Sequence, residues 1–452
     1  MNKIESFFVT KVGVSFFKVF TLLIALFFLW GFTAGLFDVL NKHYQELIVT
    51  NKSKFILVLL TYYAGYLFMP IPASLFAERY GYKSGIILGL MICALGAFMF
   101  FPTSQFHSFP LFLLSLFAIA LGMAALETVV NPYTTLVGQP KYSTFRITLG
   151  QSFTSLGWLF GPFVGGSILF DVRKEVITAN TNEFATMTVP YVGIGILVLL
   201  IAILILISEI PKIKDEKLRS LTLKNRGQKS ISIYKRRYFV SAAITMFFYM
   251  AAKTAIFGFY TLYLIDLFKS MANHPVIGNG CLLSIIHFVG NSNELNDTLY
   301  HSVATGIFIF VGMGMYTIGR FIGSFILIKF KPNVLLILSS VFALFFSIIL
   351  WLNLGIISFI ALCLLTLSIS TMFPVIFSLG IRKMGYKTKR ASAHIIMAIV
   401  GGAIYPILVS VLPSINPVEI GLSILVVSFI MTFIYGYKGY KIDDKTRAEL
   451  NL

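Results

Sequence analysis

The chain has 452 residues, of which 57% are hydrophobic and only 12% are charged, and its formal net charge is +18. This composition excludes a soluble globular domain and is typical of a protein built from membrane-spanning helices. The positive charge does not indicate nucleic-acid binding, because the cations are spread over short loops where anionic membrane lipids would attract them.

Apolar runs of about 18 to 25 residues recur along the whole chain, and each is long enough to cross a hydrocarbon core about 30 Å thick as an α-helix. The sequence therefore predicts an all-α membrane protein with twelve transmembrane helices. The predicted spans cover, in chain order, residues 18–41, 55–77, 84–101, 110–137, 147–170, 189–208, 238–268, 300–328, 333–352, 354–380, 391–413 and 417–437. The first run lacks a small-residue cleavage site and is too long for a signal-peptide core, so we expect it to remain as the first span.

Lysine and arginine are distributed unevenly between the two sides of the predicted membrane. With the N-terminus inside, the inner loops and tails hold 28 of the 36 Lys and Arg residues. Because inner loops are enriched in these residues, the distribution predicts cytoplasmic N- and C-termini. We expect a multi-pass protein of the plasma membrane, which is the inner membrane in a bacterium.

The predicted helices fall into two groups of six, residues 1–208 and 238–452, joined by a basic cytoplasmic linker at 209–237. Several features recur at an offset of 242 to 244 residues, and the paired residues are Pro132 and Pro374, Gly138 and Gly380, Arg146 and Arg390, Gly157 and Gly401, and Pro162 and Pro406. This order predicts two pseudo-repeats around a central site, with an outer insertion near 269–299 in the second. We assign gating or structural roles to Pro132, Pro374, Arg146 and Arg390.

Glu127 lies deep within the fourth predicted span, about 16 Å along a helix from its inner end, where a short side chain cannot reach the headgroups. A charge inside hydrocarbon costs about 2.5 to 3.5 kcal/mol on insertion scales, so this carboxyl should face a cavity or a partner. Because loss of water disfavours the charged form, Glu127 could take up and release a proton as water and substrate enter and leave. The alternative is a structural carboxyl held by hydrogen bonds.

Asn131 and Pro132 follow Glu127 within about one helical turn. Residues four apart lie on the same face of a helix, so Asn131 and Glu127 can point into one cavity. Pro132 removes a backbone donor and can loosen the helix, which is typical of an element that moves.

Three further charged residues lie in predicted spans. Asp38 faces a cavity if its helix continues well beyond it, and lies at the outer interface if the helix ends there. Lys253 is about 22 Å into the seventh span, where a buried ammonium needs a partner. That partner is either Glu127 or Asp38 in a structural ion pair, or an anionic group of a substrate. Arg320 is close enough to the inner end to snorkel partly, which favours a gate or a tie between helices.

Aromatic residues such as Tyr62 could stack on the faces of sugar rings, although an aromatic residue in this composition is more often part of the packing. The sequence contains no zinc-ligand spacing, no phosphate-cradling glycine loop and no nucleophile elbow, and its six histidines are scattered. We therefore expect neither an enzyme nor a protein with a bound metal or cofactor.

Several segments are more specific than generic hydrophobic runs. They include "FFLWGFTAGLFDVL", "YYAGYLFMPIPASLFAERYGYKSG", "ALETVVNPYTTLVG", "FRITLGQSFTSLG" and "IGRFIGSFILIKF". Across nearly all predicted spans the chain resembles the L-fucose:proton symporters, in the fucose-galactose-glucose-hexuronate branch of the major facilitator superfamily. The resemblance implies a two-lobed fold of twelve helices that alternates between outward and inward openings while it imports a sugar with a proton.

The same resemblance implies roles for individual residues. The helix-one aspartate and the helix-four glutamate, here Asp38 and Glu127, would couple the proton, and the helix-five glutamine, Gln151, would bind the sugar. The chain departs from the family pattern around the helix-one aspartate, where the family has asparagines and this chain has Ala34, Gly35 and Phe37. It also has Thr154 where the family has an asparagine and Lys253 where it has a glutamine. The predicted substrate-binding residues are Asp38, Glu127, Asn131, Gln151, Thr154, Lys253 and Tyr62.

The sequence therefore predicts a monomeric secondary active transporter that imports a monosaccharide such as fucose, galactose or glucose together with a proton. The alternative within transport is a carrier for an acidic sugar or another small organic anion, or a carrier that needs no proton, since Lys253 lies close to the same midplane as Glu127. A reading from a different class is a membrane sensor that binds a solute and signals through the linker at 209–237.

Overall fold

A computed structural model of the chain describes residues 16–48, 52–106, 108–179, 183–208, 232–273 and 297–442. Within these ranges every regular element is a helix, as the sequence predicts. Side chains are described in the same ranges except at 37–55, 166–190, 271–300, 302 and 386. Most of the predicted linker at 209–237 and most of the predicted insertion near 269–299 lie outside the described residues.

The first half of the chain, up to residue 208, forms helices from apolar runs that glycine and proline interrupt. The helices are α1 (Phe17–Ile48), α2 (Lys52–Phe68), α3 (Pro70–Tyr80), α4 (Tyr82–Phe98), α5 (Phe100–Phe106), α6 (Phe109–Leu136), α7 (Ser143–Ala179) and α8 (Glu183–Ile207). Gly81 separates α3 from α4 with a φ of 92°, a backbone conformation that favours glycine. The chain therefore turns sharply between the second and third predicted spans.

The second half, from residue 232, repeats this pattern of long apolar helices. The helices are α9 (Arg237–Asn273), α10 (Asp297–Ile307), α11 (Met313–Lys329), α12 (Pro332–Leu352), α13 (Ile356–Ile369), α14 (Met372–Ile381), α15 (Thr388–Met397), α16 (Ile404–Val411) and α17 (Pro417–Ile434). Short 3-10 or π segments cover Pro140–Tyr142, Ile233–Lys235, Phe308–Gly312, Gly385–Lys387, Ala398–Ala403 and Tyr435–Gly439.

Ten helical stretches among the described residues are long and apolar enough to cross a membrane. They correspond to ten of the predicted spans. Of the other two, the span at 147–170 lies within α7, and the span at 189–208 corresponds to a shorter apolar helix at Tyr191–Ile207. The number twelve and the cytoplasmic position of both termini stay predictions.

The described helices are apolar outside and carry polar groups inside, as expected for helices surrounded by lipid. Large apolar side chains such as Ile207 and Phe325 are exposed, whereas many serine and threonine side chains are fully buried. Most of these hydroxyls donate to the carbonyl three or four residues earlier, as Thr128 does to Ala124 at 2.7 Å. A hydroxyl satisfied within its own helix can be buried at little cost.

Two glycines that pair in the predicted repeats bring helices into close contact. A methyl group on Gly157 of α7 would overlap the carbonyl oxygen of Phe28 in α1, and one on Gly401 would overlap the carbonyl oxygen of Phe247 in α9. Only glycine allows the two backbones to approach this closely. The same helix contact thus occurs once in each half.

Replacing Gly157 by Ala should lower the free energy of unfolding by about 1 to 3 kcal/mol, because the added methyl group must push α1 away from α7. Thermal unfolding of the purified protein in detergent would measure this loss. Gly193→Ala in α8 is the matched control, since a methyl group there meets nothing within 4 Å. Equal stability of the Gly157→Ala variant and the unaltered chain would contradict the close contact of α1 and α7.

Candidate functional site

Four helices bring polar and aromatic side chains together inside the bundle. Asn131 follows Glu127 by one turn in α6, and Arg320 follows Tyr316 by one turn in α11. One face of α7 carries Gln151, Thr154, Ser155 and Trp158, at the spacing that places residues on one side of a helix. The fourth helix, α9, adds Lys253 and Phe257 one turn apart.

A buried hydrogen-bond network connects the two halves at this site. Gln151 Nε2 donates to Asn131 Oδ1 at 3.0 Å, which joins α7 to α6. Arg320 Nη1 donates to the Gln151 carbonyl at 2.8 Å and to Ser155 Oγ at 2.7 Å, which joins α11 to α7. Asn131 and Gln151 are residues that the sequence analysis singled out, whereas Ser155 is not, and Arg320 of the second half reaches Gln151 and Ser155 directly.

Arg320 is buried, with 4% of its surface exposed, so the partial snorkelling expected from the sequence does not occur. Its side chain also donates to the Ser370 carbonyl at 2.9 Å and to Tyr316 Oη at 2.7 Å. Ser370 lies four residues before Pro374, which has no N–H to offer that carbonyl. The guanidinium is therefore retained inside because protein groups satisfy its donors.

Pro132 frees a carbonyl in the same way as Pro374. The carbonyl four residues earlier, that of Thr128, accepts a hydrogen bond from Ser392 Oγ at 2.8 Å. Ser392 belongs to α15 of the second half, whereas Thr128 belongs to α6 of the first half. Pro132 and Pro374 thus each free a backbone carbonyl that accepts a hydrogen bond from a side chain of another helix.

Three buried polar atoms at the site have no hydrogen-bond partner in the described part of the chain. They are Glu127 Oε2, Asn131 Nδ2 and Thr154 Oγ1. A buried polar atom without a partner costs about 1 to 3 kcal/mol, so this cluster should receive a ligand or water. The three atoms together offer both donors and acceptors, which is what a polyhydroxylated ligand requires.

Lys253 lies among aromatic rings, and no carboxylate of the described side chains is within 4 Å of its ammonium. Its Nζ atom is 5.7 Å from the ring centre of Trp158, 5.9 Å from that of Phe257 and 5.7 Å from that of Tyr316. Lys253 and Glu127 interact electrostatically, but no ion pair within 4 Å forms between them, so that predicted pairing is wrong. The ring faces are electron-rich and can hold the ammonium in place of a carboxylate.

Tyrosines of α2 border the site from the first half. Tyr62 Oη lies 3.4 Å from Tyr66 Oη, and Tyr66 interacts electrostatically with Glu127. Tyr63 Oη is 3.0 Å from Thr254 Oγ1, next to Lys253 in the second half. The predicted ligand residue Tyr62 is therefore linked through Tyr66 to the Glu127 region.

Asp38 can be placed only through its helix. Helix α1 runs through residue 38 to Ile48, so it continues well beyond Asp38, which was the condition for this residue to face a cavity. The side chain of Asp38 lies outside the described residues. Its role in proton coupling stays a prediction.

At the end of the bundle predicted to face the cytoplasm, polar contacts join the two halves. Arg390 of α15 pairs with Glu78 of α3, where Nε and Nη2 each lie 2.9 Å from a carboxylate oxygen. The neighbouring Lys389 donates to the Ala77 carbonyl at 3.0 Å and lies 4.4 Å from the ring centre of Tyr82. These contacts hold α15 against α3 and α4 and thereby join the two halves at this end.

Replacing Arg390 by Gln should favour separation of the two halves at this end, because it removes the ion pair with Glu78. The pair is partly exposed, and such pairs contribute about 0.2 to 1 kcal/mol, so the ratio of closed to open molecules should fall by no more than about fivefold. Pulsed EPR distances between spin labels on α3 and α15 would report the change. Swapping the two charges, with Glu78→Arg and Arg390→Glu together, should restore the closed distance, and failure of that rescue would contradict the pairing.

Arg146 and Arg390 pair in the predicted repeats but lie in different environments. Arg146 is fully buried and donates to the carbonyls of Thr135 and Gln139 at 2.8 Å, where α6 ends. A cation that caps the last carbonyls of a helix is stabilised by the helix dipole. Arg146 thus stabilises the end of α6, whereas Arg390 reaches across to the other half.

Sequence patterns do not single out Glu78, Lys389, Ser392 or Tyr316, although all four contact residues of the site or of the joined end. Glu78 and Lys389 lie in predicted loops, where charged residues are expected without any special role. Tyr316 lies one turn from Arg320, and that spacing is a signal that could have identified it. The described residues contain no group of three or more His, Cys, Asp or Glu side chains suited to a metal ion.

Comparison with known proteins gives consistent matches. The profile of the Major Facilitator Superfamily matches residues 19–406. The chain is 30% identical to the L-fucose-proton symporter of Escherichia coli over 399 residues, which cover 85% of this chain and 84% of that protein. It is 28% identical to the glucose/galactose transporter of Brucella abortus over 421 residues, which cover 93% of this chain and 94% of that protein. A crystal structure of the E. coli fucose:proton symporter matches with a TM-score of 0.75 at 27% identity, covering 94% of this chain and 99% of that chain.

Proposed function

Since this chain belongs to the Major Facilitator Superfamily, we propose that it imports a monosaccharide together with a proton. It is a multi-pass protein of the bacterial inner membrane, and the resemblance noted from its sequence is confirmed. The sugar and the proton are supported by relatives named as an L-fucose-proton symporter and a glucose/galactose transporter. We expect a neutral hexose or deoxyhexose as the substrate.

The observation that carries this proposal is the cluster of unpartnered polar atoms on Glu127, Asn131 and Thr154. The ring of Trp158 is on the same face of α7 as Thr154 and is only partly buried. A sugar presents hydroxyl groups on its edges and an apolar face of C–H groups, so the polar atoms and the ring match its two surfaces. The sugar would then satisfy acceptors and donors that the protein leaves open.

Glu127 is the group best suited to carry the proton. Its Oε2 atom has no hydrogen-bond partner among the described residues, so this oxygen can take up or release a proton without breaking a hydrogen bond inside the protein. A neutral carboxyl can donate to a sugar hydroxyl, whereas an ionised carboxyl beside a bound, desolvated sugar would be disfavoured. Proton and sugar would therefore bind to the same conformer, and their binding would be coupled.

Alternating access would use the contacts between the halves. The Arg390 and Glu78 pair joins the halves at the predicted cytoplasmic end, whereas Phe163 and Phe310 pack at 4.8 Å between ring centres towards the other end. Inward opening would require the Arg390 and Glu78 pair to break, and outward opening would require the contact of Phe163 with Phe310 to break. The freed carbonyl of Thr128 would lose Ser392 and gain water in the inward-open form.

Reconstitution in liposomes tests the function directly. We would measure uptake of labelled L-fucose, D-galactose, D-glucose and a hexuronate, with and without an inward proton gradient. Accumulation of a neutral sugar only when the gradient is present is the expected result. Equilibration that ignores the gradient would contradict proton coupling, and absence of uptake for every sugar would contradict sugar transport.

A second candidate is a carrier for an acidic sugar or small organic anion, and Lys253 is the observation that favours it. In the described part of the chain this ammonium forms no ion pair within 4 Å, so it can receive a carboxylate. An anion carrier of this kind could bind its substrate through Lys253 without protonation of Glu127.

Replacing Lys253 by Gln separates the two candidates. In an anion carrier, affinity for the hexuronate should fall by about tenfold or more, because a charged hydrogen bond contributes about 1.5 to 3 kcal/mol. In a carrier of neutral sugars, the main effect should be a lower melting temperature from loss of the ring contacts. Competition binding and thermal unfolding measure the two outcomes, and Lys253→Arg is the control that keeps the positive charge.

A further inference from the structure

We propose that Lys253 is a fixed counter-charge for Glu127, which makes the membrane potential act on the loaded carrier and not on the return of the empty carrier. This inference rests on the proposed proton-coupled transport. It concerns the charge that the site carries in each half of the cycle, and it assigns Lys253 a role other than contact with an anionic substrate.

Lys253 keeps its place in the site without a close ion pair to Glu127. The ammonium is held by the rings of Trp158, Phe257 and Tyr316, all within 6 Å of its Nζ atom. No described carboxylate lies within 4 Å of Lys253, so no close ion pair ties its ammonium to the carboxyl of Glu127. The lysine is close enough to Glu127 for their charges to interact, so the two form one electrostatic unit.

The charge of this unit changes by one during the cycle. In the empty carrier, an ionised Glu127 and a charged Lys253 sum to zero. In the loaded carrier, the proton neutralises Glu127 and the sum becomes +1. Asp38 and Arg320 carry opposite charges and cancel in this sum as long as the coupling proton binds Glu127 and Asp38 stays ionised.

A membrane potential does work only on a transition that moves charge through the field. A transition that carries one charge through most of the membrane has its equilibrium shifted by about fifty-fold per 100 mV. A potential that is negative inside would therefore drive the loaded carrier inward and leave the empty carrier unaffected. Without Lys253 the loaded carrier would be neutral and the empty carrier would carry −1, so the voltage-sensitive step would be the return.

The ratio of protons to sugars is the same with and without Lys253, because each complete transport cycle moves one charge across the membrane. The proposal is therefore not tested by the extent of accumulation. The charge must be measured while only the sugar-loaded carrier changes between its outward and inward forms. This condition holds when the carrier exchanges sugar across the membrane without net proton transport.

Glu127→Gln provides that condition, since an amide is neutral like the protonated carboxyl and cannot release a proton. Proteoliposomes of this variant on a solid-supported membrane would receive a jump in the concentration of the transported sugar. We expect a transient displacement of positive charge, up to about one elementary charge per carrier. Adding Lys253→Gln to the Glu127→Gln variant should remove the transient, whereas adding Lys253→Arg should retain it. In each variant the displaced charge is divided by the amount of labelled sugar exchanged in the same vesicles.

The same displaced charge per exchanged sugar in the Lys253→Gln double variant would overturn the proposal. If that variant does not exchange sugar, the unaltered chain decides the question. With protons saturating on both sides, its exchange rate should change when a potential of 100 mV is imposed with potassium and valinomycin. An exchange rate independent of the potential would overturn the proposal, whereas the absence of any sugar exchange by the unaltered chain would reject the proposed function instead.

Discussion

Replacing Glu127 by Gln should abolish proton-driven accumulation of sugar while exchange of sugar across the membrane continues. Glutamine has the shape of the protonated carboxyl and can still donate to and accept from a ligand, but it cannot take up or release a proton. With one proton per sugar, an inward gradient of one pH unit supports about tenfold accumulation, because each pH unit is worth about 1.4 kcal/mol. The variant should reach equal concentrations inside and outside.

Uptake with and without the gradient, and counterflow of labelled sugar, would be measured in the same proteoliposomes. Glu419→Gln is the matched control, since Glu419 is an exposed carboxylate in the first turn of α17. It should accumulate sugar as the unaltered chain does. Accumulation by the Glu127→Gln variant that equals the control would reject the coupling role of Glu127.

Glu127 could be singled out as a candidate from the sequence because the evidence for it is local. The depth of Glu127 within an apolar run and the spacing to Asn131 follow from helix geometry alone. The hydrogen bond from Gln151 to Asn131 could not be derived in this way, because it depends on how α7 docks against α6. Only the family resemblance indicated Gln151, and its place beside Asn131 is consistent with that indication.

The surroundings of Lys253 could not be predicted from the sequence. Its depth indicated that it needs a partner, and charge alone suggested Glu127 or Asp38. The rings that surround it come from three helices, and only Phe257 stands at a helical spacing from Lys253 in the sequence. An aromatic contact between distant segments has no signature in the sequence. The sequence therefore left open an ion pair with Glu127 or Asp38 and a substrate contact, and the described residues show no pair with Glu127 within 4 Å.

The recurring prolines and glycines could be given structural roles from the sequence because these residues act on the backbone of their own helix. Pro132 and Pro374 each free a carbonyl wherever they occur. Which group donates a hydrogen bond to the freed carbonyl depends on the neighbouring helix, and the donor differs between the two halves. Ser392 donates to the carbonyl freed by Pro132, and Arg320 donates to the carbonyl freed by Pro374.

Arg320→Lys should be strongly destabilising although the charge is kept. The guanidinium makes five hydrogen bonds, to the Ser370 carbonyl, the Gln151 carbonyl and side chain, Ser155 and Tyr316. A lysine has three donors on one nitrogen and cannot reproduce this planar fork, so buried acceptors lose their partners. Loss of two such bonds should lower the free energy of unfolding by about 3 kcal/mol.

Thermal unfolding in detergent would measure this loss, and Arg237→Lys is the control because Arg237 is exposed at the start of α9. A melting temperature that matches the control would contradict the tie between the halves. The variant also has a consequence for transport, because Arg320 holds the backbone of Gln151 while the Gln151 side chain holds Asn131. If the network positions the site as a unit, sugar affinity should fall together with stability. A loss of stability with unchanged sugar affinity would mean that Arg320 joins the halves without positioning the residues that bind the sugar.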